Sequence, residues 1–213
     1  MGRGRSLTRR VNFREPKKKF IIYSEGKNTE PEYFRAMESV FMGALVHLEL
    51  IPAAGVPMTI AEKASSEASR RSKKRKASSS FEENDEVWAV FDRDEHPKCD
   101  EAIEKCNSSG VGVAFSDPCF ELWLILHHSD FDRPDDRHQV QKAFQRICGD
   151  YDPNGGKTTD CLALMHLVEE AEKRAERQIA RRKEEGDRPT RPYTTVYKLT
   201  QKLRQADVAH RKR

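Results

Sequence analysis

Five consecutive apolar residues, Val87-Trp88-Ala89-Val90-Phe91, stand between the charged residues Glu86 and Asp92. A strand that covers a core with one face alternates apolar and polar residues. A strand with no polar residue must be covered on both faces, as central strands of parallel sheets are. Parallel neighbours need long crossovers, most often helices, so this segment points to alternating strands and helices.

The flanking sequence fits that plan. Phe20-Ile21-Ile22-Tyr23 reads as a buried strand that halts at Ser24-Glu25-Gly26. Thr29 with Glu32 three residues on predicts a capping box, with Pro31 in the first turn and Tyr33, Phe34, Met37, Val40 and Phe41 at helical spacing. Val46, Leu48 and Leu50 alternate as a strand, and Thr59 with Glu62 is expected to cap a helix running into the basic stretch Arg70-Arg71-Ser72-Lys73-Lys74-Arg75-Lys76. Serine pairs and triplets around that stretch leave helix and loop both open there. A helix from about Cys99 to Cys106 precedes Gly110, and Val111 to Phe115 is a fourth strand stopping at Ser116. Asp117 is expected to cap the next helix, whose Phe120, Leu122, Trp123, Leu124, Ile125 and Leu126 are apolar nearly all round and so predict burial. The sum is an α/β fold, an open and mostly parallel sheet of about four strands with right-handed crossovers.

At 213 residues the chain has room for one sizeable core with extensions. Residues 1–19 read as a flexible basic arm, 20–128 as the α/β domain, and 129–213 as a mostly helical extension with helices at Gln139 to Cys148, Thr159 to about Glu185, and Tyr197 to Leu203. The arm holds eight of the 39 basic residues and one acid, Glu15, so the rest of the chain is mildly acidic. Such an arm attracts phosphate backbones. The five cysteines are odd in number and include no C-x-x-C pair, which argues against a disulfide framework or structural zinc and suits a reducing cytoplasm. No segment approaches the roughly 20 apolar residues of a membrane span.

Ligands of open α/β sheets gather at the carboxyl ends of the strands. Glu25 stands at the end of the first strand, Asp92-Arg93-Asp94 at the end of the third, and Ser116-Asp117 at the end of the fourth. If the first and third strands are neighbours, Glu25, Asp92 and Asp94 converge, and close carboxylates need a cation to offset their repulsion. Hard oxygen donors select Mg²⁺ or Mn²⁺. Gly26 lets the backbone approach a phosphate. A lone D-x-D is weak, since aspartates end strands everywhere; its place after a wholly apolar strand, paired with the Glu25-Gly26 turn, is what gives it weight. Gly155-Gly156-Lys157-Thr158 is not a P-loop, because Tyr151 occupies the first glycine position and no apolar strand precedes it. His127-His128 with Cys119 reads as a helix-end pair and a buried thiol, and Trp88 and Trp123 as core.

Three blocks together resemble the RloB-like family: Ser24-Glu25-Gly26-Lys27-Asn28-Thr29-Glu30-Pro31-Glu32-Tyr33-Phe34, Val90-Phe91-Asp92-Arg93-Asp94-Glu95, and Ser116-Asp117-Pro118-Cys119-Phe120-Glu121-Leu122-Trp123 continuing to His127. The resemblance implies a Toprim-like fold, a role in phage defence including abortive infection, and an AAA or ABC-type ATPase partner. It makes Glu25 a metal ligand or general acid/base and Asp92 and Asp94 metal ligands, with Glu30, Ser116 and Glu121 in support and Lys157 placed to stabilise transition-state charge. The leading function is metal-dependent phosphodiester hydrolysis of RNA or DNA, and by their charge the basic arm with Arg70, Arg71, Lys73, Lys74, Arg75 and Lys76 is expected to anchor the backbone. The rival expectation is a non-catalytic adaptor subunit of a defence ATPase. A phosphoacceptor role for Asp92 ranks below both, and homo-oligomerisation is left open.

Overall fold

Alternate residues of the first strand go to opposite faces, so four apolar residues in a row require two cores. The computed structural model has both. It describes residues 18–43, 46–77, 85–93, 96, 98–153, 156, 159–186 and 189–211, without the side chains of 74–77 and 207–211. Strand β1 (Lys18–Ser24) leads to helix α1 (Thr29–Phe41), β2 (Val46–Ile51) to α2 (Pro57–Ala77), β3 (Glu86–Asp92) to α3 (Cys99–Ser108), and β4 (Gly112–Asp117) to α4 (Glu121–His128). Helices α5 (Arg137–Ile147), α6 (Cys161–Leu164) and α7 (Val168–Glu184) follow, then a two-residue β5 (Tyr193–Thr194) and α8 (Val196–Arg211). Sheet order is β2-β1-β3-β4-β5, with the first four strands parallel and β5 antiparallel to β4.

Phe20, Ile22, Trp88 and Val90 face a core built with α1 and α4 to α8. Ile21, Tyr23, Val87, Ala89 and Phe91 face a second core under α2 and α3. Helix α4 is buried from Glu121 to His127, as its all-round apolar sequence requires. His127 is a core residue: its Nδ1–H donates to the Trp123 carbonyl at 3.0 Å and its Nε2 lies 3.1 Å from the Tyr33 hydroxyl, and burial pushes its pKa down to about 3.

Several local expectations need correction. Among the described residues the sheet has five strands, because residues 193–194 add an edge strand too short to leave a periodic signal. Thr29 is the first residue of α1 and not its cap; Asn28 holds the cap position without a side-chain bond to the helix, and Glu30, not Glu32, turns back onto the entering chain. Asp117 does not cap α4. It ends β4 and its carboxylate pairs with Arg93 Nε at 2.9 Å and Arg191 Nε at 2.6 Å, while α4 begins only at Glu121 after a cis Asp117-Pro118 bond. Helix α2 is continuous through Lys73, supported by Glu67 pairing with Arg70 and Arg71 one turn on. The helix expected from Thr159 is broken by a 3₁₀ turn at Met165–Leu167, and α5 begins at Arg137 behind a full Asp136/Gln139 capping box. Among the described residues no helix is long and apolar enough to cross a membrane.

Candidate functional site

The pairing of β1 with β3 sets the site. Beyond the last paired residue of β1, the Glu25 N–H still donates to the Val90 carbonyl at 3.1 Å, which holds the loop after β1 against the end of β3. Glu25 Oε2 then accepts the N–H of Asp92 at 3.4 Å, and its Oε1 lies 3.5 Å from His96 Nε2. Asp92 Oδ2 accepts the N–H of Phe120 at 3.1 Å, from the residue preceding α4. Helix N-termini leave donors unsatisfied and carry partial positive charge, so a carboxylate is well received there.

Two further carboxylates join from the first turns of α1 and α4. Glu30 is 6% exposed, and its Oε1 accepts the Gly26 N–H at 3.0 Å. A Cβ on Gly26 would stand 1.9 Å from Glu30 Oε2, so any side chain there would push the Glu30 carboxylate from its place against the Gly26 N–H. Glu121 is the first residue of α4, and its Oε1 accepts bonds from Gln141 Nε2 at 3.2 Å and from the Tyr151 hydroxyl. Glu25, Glu30, Asp92 and Glu121 line one cleft of about 350 Å³, together with Lys27, Asn28, Arg137 and Gly156.

The electrostatics follow from that crowding. Desolvation first, then the charges of Glu121 and Glu25, raise the Glu30 pKa to about 7 against the pull of the Gly26 N–H. Asp92 is pushed well above the usual carboxylate range, again by desolvation and then by Glu30, Glu121 and Glu25, with the Phe120 N–H opposing. A cleft lined by carboxyl oxygens offers the donor chemistry that hard divalent cations take. Its geometry does not yet form such a cage: among the described residues no three His, Cys, Asp or Glu side chains are set to hold a metal ion. Glu25, Glu30 and Asp92 each turn an oxygen to a backbone N–H instead.

Of the residues singled out in the sequence, Glu25, Asp92, Glu30 and Glu121 come together. Asp94 and Lys157 lie outside the described residues, as do the side chains of Lys74, Arg75 and Lys76. Ser116 is held in the sheet, its hydroxyl 3.0 Å from that of Thr194 and buried, and it is not part of the cleft wall. Arg70 and Arg71 pair with Glu67, and Arg71 also with Asp85, while Lys73 is exposed. Sequence reasoning missed Arg137, Gln141 and Tyr151. The Asp136-x-x-Gln139 capping signature can place Arg137 at a helix start, but nothing in the sequence brings that start to β3.

A family model described as RloB-like protein matches residues 20–203 of the chain. No curated protein matches it.

Proposed function

The chain belongs to the RloB-like protein family, and on that premise we propose that it is a metal-dependent nuclease acting on RNA or DNA as an effector of antiphage defence, working with an ATPase partner. One observation carries the reading: Glu25 and Asp92, linked by a 3.4 Å bond through the Asp92 N–H, share a desolvated cleft with Glu30 and Glu121 at the carboxyl edge of a parallel sheet. In this reading Glu25, Asp92 and Asp94 hold Mg²⁺ or Mn²⁺. The bound ion would neutralise the scissile phosphate and lower the pKa of its water. Glu30, fixed by the Gly26 N–H, takes the proton. Gln141 and Tyr151 hold Glu121 in place at the cleft wall, and Arg137 and Lys27 supply positive charge for a phosphate.

The rival reading is an adaptor subunit that binds the ATPase and does not cut. The long α7, with Glu169, Glu170, Lys173, Arg177 and Arg181 exposed along it, suits such docking. Cleavage of a mixed pool of tRNA, single-stranded RNA and plasmid DNA in Mg²⁺, with and without the ATPase, separates the two. The nuclease reading expects cleavage that falls by at least ~100-fold in Glu25→Gln and Asp92→Asn proteins of native circular dichroism, since a lost ligand removes ion and nucleophile together. Intact nucleic acid under every condition supports the adaptor.

A further inference from the structure

The middle residue of Asp92-Arg93-Asp94 is not part of the cleft wall. Successive residues of a strand point to opposite faces, and Arg93 follows Phe91 to the side of the second core, away from Asp92. Its guanidinium lies over the Phe115 ring at 5.5 Å, with Nε 2.9 Å from Asp117 Oδ2 and Nη2 2.9 Å from Asp100 Oδ1. Asp117 is buried and shared with Arg191, whose Nε stands 2.6 Å from its Oδ1. Two arginines and two aspartates balance in charge, so the cluster offers little to an outside ion. Its position on the chain is what links it to the cleft.

Arg93 also holds the main chain beside Asp92. Asp92 and Ser116 are the last paired residues of β3 and β4, and the Arg93 N–H extends that ladder by donating to the Ser116 carbonyl at 2.9 Å. The Cys99 thiol lies 3.5 Å from the Asp92 carbonyl oxygen and 3.3 Å from that of Arg93. With its guanidinium bound to the end of β4 and to the first turn of α3, Arg93 fixes the peptide that follows Asp92 from two sides. Asp100 is exposed and adds little alone, so the hold rests chiefly on Asp117. Rotation of that peptide would swing Asp92 out of line with Glu25, whose Oε2 accepts the Asp92 N–H at 3.4 Å.

We propose that Arg93 is a positioning residue for the metal site: by clamping Asp117 and Asp100 on the far face of β3, it sets the direction in which Asp92 presents its carboxylate to a divalent cation. This rests on the metal-binding part of the function proposed above. Groups that orient a metal ligand from behind typically change metal affinity by ~10–100-fold when removed. Charge alone has the opposite sign, because taking an arginine from beside a cation site strengthens binding of the cation. The direction of the change therefore separates positioning from electrostatics.

The test is Mn²⁺ binding to the intact protein, followed by the loss of the free-ion electron paramagnetic resonance signal. Wild type, Arg93→Met and Arg191→Met are compared, each with native circular dichroism and with its urea midpoint measured. Both variants take one arginine from Asp117, so a purely structural role lowers both midpoints and leaves the Mn²⁺ affinity of the folded protein unchanged. Positioning predicts affinity ~10-fold weaker in Arg93→Met and within about 2-fold of wild type in Arg191→Met. Arg93→Lys keeps the charge but loses the fork across two carboxylates, and is expected to bind about 3-fold more weakly than wild type. It carries the test should Arg93→Met not fold. Unchanged or tighter binding in Arg93→Met or Arg93→Lys overturns the proposal, and so does equal weakening in Arg191→Met. In each of those results wild type still takes up Mn²⁺, whereas no uptake by wild type overturns the metal site and this proposal together, so the two failures are told apart.

Discussion

Glu30, like Asp92, is a carboxyl whose burial in the cleft costs the fold. Its pKa is raised to about 7 from a reference of 4.5, so it binds its proton more tightly folded than unfolded. Its contribution to stability is therefore complete below about pH 4.5 and is lost as the pH climbs through about 7. In metal-free buffer above that range the folded state carries a penalty on the order of 3 kcal/mol. Glu30→Gln keeps an oxygen for the Gly26 N–H and sheds the charge. Urea unfolding in chelator at alkaline pH should show the variant more stable than wild type, with the difference closing as the pH drops toward the ordinary carboxylate range. Added Mn²⁺ should then favour wild type over the variant. A variant no more stable than wild type in chelator contradicts the charge crowding. At this scale the sequence was most legible for side chains that end strands. Glu25 and Asp92 are visible because an apolar run stops at each, whereas Glu30 joins the cleft through a turn that depends on Gly26, and Tyr151 reaches Glu121 from thirty residues away.

Among the elements, β3 and β4 set how closely the sheet packs under the site. Gly112 pairs with Trp88 across the two strands, and a Cβ there would lie 2.5 Å from the indole. The ring is buried, and its Nε1–H donates to Glu86 at 3.1 Å, so it has little room to yield. Gly112→Ala is therefore expected to destabilise by about 1–3 kcal/mol, seen as a lower denaturation midpoint at unchanged slope. An unchanged midpoint would mean that the strands shift freely. The central strands were readable because burial on both faces leaves an unbroken apolar run, and α4 because burial all round does the same to a helix. Helix starts were read less well. Thr29 and Asp117 are both residues that cap helices, yet one begins its helix and the other is taken by Arg93 and Arg191, a choice made by distant partners that local preference does not encode. Strand β5 has two residues and no period at all.

For the whole molecule, the sheet order brings the ends of β1 and β3 together, and α4, α5 and the loop at Gly156 close over them from the C-terminal half of the chain. Asn28 donates to the Gly156 carbonyl at 2.8 Å, tying that loop to the turn after β1. The acidic half of the cleft was thus legible in the sequence, while the wall at Arg137 and the bonds from Gln141 and Tyr151 that hold Glu121 were not, because they depend on how distant helices fold back. The central claim is that this acidic cleft binds a divalent cation. Electron paramagnetic resonance of Mn²⁺ titrated into the intact protein measures it directly, through the loss of the free-ion signal. The account predicts saturable binding that Glu25→Gln/Asp92→Asn abolishes while the fold persists. Equal Mn²⁺ uptake by wild type and double variant, or none by either, would contradict it.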